Sequence, residues 1–333
     1  MGPALWRIIA VLEMVLIVVC VCLFGGVRQK LLWLADDTTT SIDSVVAKYD
    51  CESQDLNVIS LYLDTVRDSL TGTLMRSPGV GPGFGAGERL TRMPFNAARR
   101  KRGSEWCDFC FSMAGTFRLD NIRQLIESAI LSNVSGDFAE AGTWRGGASI
   151  MARAVQRARG EGTHRRVWVC DSFDGLPKAS QKKDKNFWSK YDFLKVTTEE
   201  VSSNFASFRL LDDSVRFVKG YFMNSLPPLR QQLKKEKRSL AVLRGDGDMY
   251  ESYVDILYNL YEFVSVGGYF ICDDCRKIPE ADMALAEFRA THNIKDEIKN
   301  ISGVWGTYWQ KSFMTSVKYD WYLEWNATRH IAA

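Results

Sequence analysis

Histidine is almost absent from this chain: His164, His292 and His330 are the only three in 333 residues. His330 is the fourth residue from the C-terminus, and the other two sit in polar, loop-like stretches. A three-histidine metal centre would need all of them, so that class of site is excluded. Any metal must then be held by carboxylates, which selects a hard ion such as magnesium. A surplus of charge is missing too, with 43 Lys+Arg against 40 Asp+Glu. That balance gives no general footprint for a polyanion, so nucleic acid is not expected as a partner. No internal repeat is visible, which removes the solenoid architectures.

Cysteine is present eight times, in a pattern that excludes more than it assigns. Cys20 and Cys22 lie in an apolar run, and Cys51 and Cys170 stand alone. The pairs Cys107/Cys110 and Cys272/Cys275 are each C-x-x-C, too far apart in sequence to read as a compact zinc ribbon. A local disulfide at Cys107/Cys110 suits a luminal domain. Cys170 and Cys272 fall in apolar strands and read as buried thiols.

Long hydrophobic runs are scarce, with one exception. Residues 8–27 (IIAVLEMVLIVVCVCLFGGV) carry a single charge, Glu13. Thirteen of these residues are Ile, Leu, Val or Phe, together worth roughly −4 to −8 kcal/mol of insertion against a penalty of about +3 for one acid. The run is long enough to span a bilayer and longer than a signal-peptide core. The sequence therefore predicts a membrane anchor at 1–30 and a stem at 31–54, with a lipid bilayer as partner. Arg7 on one side and Arg28 and Lys30 on the other nearly cancel, so orientation is not fixed by charge. The sequons at Asn133, Asn300 and Asn326 favour a luminal, ER or Golgi placement. Arg99-Arg-Lys-Arg102 reads as a solvated basic loop, with a processing site as the alternative.

Beyond the stem, Leu56, Ile59, Leu63, Val66 and Leu70 share one helical face. Residues 77–103 form a Gly/Pro-rich and then basic loop. From about 118, short apolar runs (DFAEAG, RRVWVCDS, SVRFVKG, SLAVLRGD, GGYFICDD) alternate with helical stretches such as 250–264. That alternation predicts an α/β fold with a doubly wound, mostly parallel sheet over 55–315, and a tail at 316–333.

In such a sheet ligands bind beyond the carboxyl ends of the strands. The first strand ends Glu140-Ala-Gly142-Thr-Trp144-Arg-Gly146-Gly147, and a helix follows. Trp144 stands where a dinucleotide fingerprint has its second glycine, so a nicotinamide cofactor is disfavoured. The second strand ends at Asp171, placed for ribose hydroxyls. An acid before a glycine-rich turn, with a carboxylate on the next strand, suits S-adenosylmethionine, whose sulfonium is positive. Two further strands end Arg244-Gly-Asp246-Gly-Asp248 and Cys272-Asp273-Asp274-Cys275. Carboxylates crowded at one sheet edge repel and call for a divalent cation. Capping of the following helices accounts for one acid per strand end, not two at both.

These segments, E-A-G-T-W-R-G-G-A-S, V-C-D-S-F-D-G-L-P, L-L-D-D-S-V-R-F-V-K-G-Y-F, G-D-G-D-M-Y-E-S and C-D-D in that order, resemble the macrocin O-methyltransferase (TylF-like) family. The similarity covers about 56–311, interrupted at 77–103. It implies a class I methyltransferase (Rossmann-like) fold that uses S-adenosylmethionine and Mg²⁺ to methylate sugar hydroxyls. By motif position it implies Asp246, Asp273 and Asp274 as metal ligands and Asp248 as general base. Glu140, Gly142, Ser149, Asp171 and Ser172 fall where the family binds the cofactor, and Asp213 is an adenine-side candidate. The family's bulky apolar residue before D-G-D is Gly245 here, and its aromatic after D-D is Cys275, so the pocket wall differs.

The partner expected is a sugar-containing small molecule or a glycan, and self-association is compatible with the sequence. One rival is a Golgi-type glycosyltransferase using Asp246-Gly-Asp248 as a D-x-D motif. It leaves the Glu140–Gly147 loop, Asp171 and Asp273-Asp274 without a role. The other is a membrane-tethered binding protein without catalysis, against which the retained acids argue.

Overall fold

The computed structural model describes residues 51–80, 92–107, 109–184 and 188–331. They fall into two units, and only the second, Ile59–Ala333, concerns the site. The expected anchor and stem lie almost entirely outside the described residues. Among the described residues no helix is long and apolar enough to cross a membrane.

The chain opens with helix α1 (Cys51–Leu70), a short ribbon of β1 (Gly79–Val80) and β2 (Arg92–Met93), and helix α2 (Ala97–Arg102). Then come α3 (Gly115–Leu131), β3 (Asp137–Ala141), α4 (Gly147–Ala158), β4 (Val167–Asp171), α5 (Thr198–Ser207) and β5 (Val215–Lys219). The rest is α6 (Phe222–Lys235), β6 (Leu240–Gly245), α7 (Tyr250–Leu260), β7 (Val264–Cys272), α8 (Pro279–Thr291), β8 (Lys299–Asn300), β9 (Thr307–Gln310) and α9 (Tyr319–Ile331).

Seven strands form one sheet in the order β5-β4-β3-β6-β7-β9-β8. The first five are parallel, while β9 runs antiparallel to both β7 and β8. The central strands are continuous apolar runs because both faces are covered. Alternate residues then sort into two cores. Phe138, Val169, Val242 and Ile271 pack with α3, α4 and α5, while Ala139, Trp168, Leu243 and Phe270 pack with α6, α7 and α8. The strand order reverses between β3 and β6, which opens a crevice at their carboxyl ends. Pairing of Ala141 with Gly245, and of Gly245 with Cys272, brings three strand ends to the same level. Glu140 and Asp171 lie at the carboxyl ends of β3 and β4, and Asp246, Asp248, Asp273 and Asp274 follow β6 and β7.

Several expectations need correction. The 77–103 stretch is not all loop, because the basic cluster forms α2. Arg100 there is buried and ion-paired with Glu105 at 2.9 Å, so neither a solvated loop nor an open processing site describes it. The expected tail contains α9, whose Tyr322 is fully buried and donates to Asp255 at 2.9 Å. Asn133 and Asn300 are exposed, but Asn326 lies in α9 with its amide on the Met223 carbonyl. Cys170 is a buried free thiol as expected, whereas Cys272 is not: it forms a disulfide with Cys275, and Cys107 forms one with Cys110. Each pair closes on itself because three-residue spacing at a turn brings the two Cα atoms within 5.3 Å and 5.6 Å.

Candidate active site

A cavity of about 530 Å³ opens at the crevice. Its floor is built by the loops that follow β3, β4, β6 and β7. The β3 loop turns at Gly142, which has φ 93°, and an added Cβ would overlap the Asp246 carbonyl oxygen. Only glycine lets these two strand-end loops come so close. Gly146, at φ 83°, then caps α4. Asp171 fixes the same loop from the side, accepting from the N–H of Thr143 at 2.7 Å, Trp144 at 3.2 Å and Phe173 at 2.9 Å. Burial nonetheless pushes its pKa up, with those three N–H groups opposing. Ser172 braces the next turn, donating to Gly175 O at 2.5 Å.

Glu140 is fully buried beneath the loop. It accepts from the Ser149 hydroxyl and from the Arg244 guanidinium of the neighbouring strand. Burial lifts its pKa to about 7 against the pull of Arg244. Arg244 lies opposite Glu140 in the β3–β6 register and also donates to Asp246, at 2.8 Å, and to Asp273. One buried guanidinium thus joins three acids from three strands. Arg118 of α3 donates to the other oxygen of Asp273 and, at 2.6 Å, to the Ala114 carbonyl.

Asp246, Asp273 and Asp274 each present one carboxylate oxygen, all within 4.8 Å of one another. Asp274 accepts from the N–H of Asp248 and from the Tyr253 hydroxyl, both at 2.9 Å, through one oxygen only. Arg244 likewise occupies a single oxygen of Asp246. Burial raises the pKa of Asp246 and Asp248 well above the carboxylate range, reinforced by Asp273 and Asp274 respectively. Asp274 is raised to about 6 by burial and then by Asp273. Three converging hard oxygens form a donor set that fits a magnesium ion. Asp248 projects beside them from a backbone at φ 57°.

Of the residues singled out from the sequence, Asp213 alone is out of place. It is exposed on the turn before β5, at the amino end of the sheet and away from the cavity. Its neighbour Asp212 is bound to Arg153 at 2.6 Å. Ser149 acts from behind, through Glu140, rather than on the cavity surface. The aromatic segment 186–193 is partly described, and Tyr191 and Phe193 line the cavity with Trp106. Arg118, Arg244 and Trp305 were missed. Arg244 could have been found, since a single arginine inside an otherwise apolar strand signals a buried ion pair.

The fold and this acid-lined cavity define an S-adenosylmethionine-dependent O-methyltransferase of the Rossmann-like type. A family model described as Macrocin-O-methyltransferase (TylF) matches residues 85–311. The chain belongs to that family. It is 40% identical over 258 residues to a demethyldecarbamoylnovobiocin O-methyltransferase from Streptomyces niveus, covering 76% of this chain and 94% of that one. It is 34% identical over 262 residues to a mycinamicin III 3''-O-methyltransferase from Micromonospora griseorubida, covering 76% and 97%. Among solved structures, the O-methyltransferase NovP aligns with a TM-score of 0.68 at 39% identity, over 77% of this chain and all of that one.

These findings run against the expected membrane-anchored ER or Golgi location and lend no support to the expected bilayer partner. The relatives come from Streptomyces and Micromonospora, bacteria without those compartments. No described helix can cross a membrane, and the 8–27 run lies outside the described residues.

Proposed function

We propose that the chain transfers a methyl group from S-adenosylmethionine to a hydroxyl of a sugar or glycoside, with Mg²⁺ at Asp246, Asp273 and Asp274 and Asp248 as the general base. The observation that carries this reading is the convergence of those three carboxylates beside Asp248, within one cavity that also contains Glu140 and Asp171. The names of the relatives, which act on novobiocin, rhamnosyl-tetracenomycin and mycinamicin precursors, support a glycosidic acceptor.

S-adenosylmethionine supplies an electrophilic methyl group, and Mg²⁺ when bound makes a coordinated hydroxyl more acidic. The protein's share is position and proton transfer. Asp171 locks the 142–144 turn, so the methyl donor would lie over β3 and β4. Glu140 and Asp171 offer it negative charge. The three aspartates hold the acceptor end over β6 and β7, which sets donor and acceptor side by side. Methyl transfer leaves a proton on the hydroxyl oxygen, and the carboxylate of Asp248 takes it. Burial, reinforced by the neighbouring acids, raises the pKa of Asp248, which makes it a stronger base than an isolated aspartate.

The test is calorimetry with S-adenosylhomocysteine, followed by methyl-transfer assays on glycosides with Mg²⁺, with EDTA, and with Mg²⁺ restored. Binding and a reversible EDTA loss are expected. Full turnover in EDTA would remove the metal from the reading, and binding of a nucleotide sugar alone would reinstate the D-x-D glycosyltransferase.

A further inference from the structure

The cavity has a direction. Along the sheet order β4-β3-β6-β7-β9, the proposed methyl-donor half lies over the first two strands and the acids lie over the next two. Beyond them, on the β7 and β9 side, the wall is made by Lys277, Trp305 and Arg118. An acceptor with its reacting hydroxyl at the acids has this wall within the same cavity.

Two cations face the same indole there. The Lys277 ammonium sits 3.7 Å from the Trp305 ring centroid and the Arg118 guanidinium 4.8 Å from it. They differ in what else they hold. Arg118 is spent on Asp273 and on the Ala114 and Met113 carbonyls. The Lys277 ammonium makes no hydrogen bond or ion pair among the described residues, and Asp248, Asp273 and Asp274 act on it only through space. Lys277 is exposed and lines the cavity, so an incoming acceptor can reach its ammonium. Lys277 is the cation of this wall that no carboxylate holds by a hydrogen bond.

We infer that Lys277 is a specificity-determining residue that selects acceptors carrying an anionic group, a carboxylate or a phosphate, close to the methylated sugar hydroxyl. A neutral sugar would offer this ammonium hydroxyl contacts alone. An anion supplies a charge-assisted hydrogen bond in a partly desolvated setting, and the Trp305 ring beneath keeps the lysine in place. The inference rests on the sugar O-methyltransferase reading above.

The experiment compares matched acceptors on the full chain with S-adenosylmethionine and Mg²⁺. One pair is p-nitrophenyl glucuronide and p-nitrophenyl glucoside, which tests a carboxylate. The other is galactose 6-phosphate and galactose, which tests a phosphate. Calorimetry of the same acceptors in the presence of S-adenosylhomocysteine adds a readout without turnover. At least one anionic member should be favoured by about 10- to 100-fold in kcat/KM and in affinity. Lys277→Gln should collapse that ratio and Lys277→Arg should keep it, with S-adenosylhomocysteine affinity serving as the folding control. Neutral members used as well as anionic ones, or a ratio unchanged in Lys277→Gln, would overturn the inference while leaving the methyltransferase reading intact. S-adenosylhomocysteine binding with no sugar methylated or bound would overturn both.

Discussion

The backbone N–H of Asp248 donates to the carboxylate of Asp274 at 2.9 Å, joining the loop after β6 to the loop after β7. The proposed base and a proposed metal ligand are therefore held in one frame, and neither can shift alone. Since that hydrogen bond uses the backbone of Asp248, its side chain can be changed without breaking the frame. Asp248→Asn should lower kcat by about 100- to 10,000-fold, the usual worth of a positioned base. S-adenosylhomocysteine affinity and melting temperature should stay near those of the parent. Stopped-flow or steady-state methyl transfer, with calorimetry alongside, checks this; a fully active variant would remove Asp248 from the mechanism.

Arg244 carries the electrostatics of the site, since its guanidinium serves Glu140, Asp246 and Asp273 together. Arg244→Met keeps the volume and removes the charge, leaving fully buried Glu140 without its cation. Breaking a buried pair in this way costs about 3–5 kcal/mol. Denaturant unfolding should show the loss in its midpoint. Added Mg²⁺ should recover part of it, because a divalent ion held by Asp246 and Asp273 would offset those two acids while Glu140 keeps only the Ser149 hydroxyl.

Much of this site was legible in the sequence because its acids lie at strand ends, and strands that alternate with helices betray those ends by composition. Glu140, Asp171, Asp246, Asp248, Asp273 and Asp274 all follow apolar runs and all reach the crevice. Asp213 also stood next to an apolar run, but before its strand instead of after it, which sends it to the opposite rim. Arg118 was illegible for a different reason: it reaches Asp273 across 155 residues, and no local pattern records a contact of that range. The same holds for α9, where buried Tyr322 stands between Trp321 and Leu323, which are exposed, so composition does not mark the face that is buried. Cys272 read as a buried thiol because periodicity reports burial and not the bond to Cys275.

Gly142 offers a test of the loop geometry. Its positive φ and its approach to the Asp246 carbonyl both forbid a side chain. Gly142→Ala should destabilise the fold by about 1–3 kcal/mol. It should also weaken S-adenosylhomocysteine binding, because the β3 loop must move away from the β6 loop to admit the methyl group. A glycine needed only for flexibility would show the stability loss without the affinity loss.

Lys311 gives a pH dependence that is independent of catalysis. It is fully buried at the end of β9, where its ammonium donates to the carbonyls of Tyr261 at 3.1 Å, Glu262 at 3.2 Å and Val264 at 2.8 Å. Burial lowers its pKa from 10.5 to about 8. Between these values the unfolded chain binds the proton and the folded chain does not, so stability rises with pH across that window. Below pH 8 both states are protonated, and the folded state bears the full cost of a buried charge. The gain contributed by this one residue should amount to about 1–3 kcal/mol between pH 8 and 10.5. Comparing unfolding midpoints of the parent and Lys311→Met over this range isolates it from the tyrosines that titrate nearby. The difference between the two proteins should shift with pH in favour of the parent, and a difference that stays constant would mean that Lys311 keeps its proton in the fold.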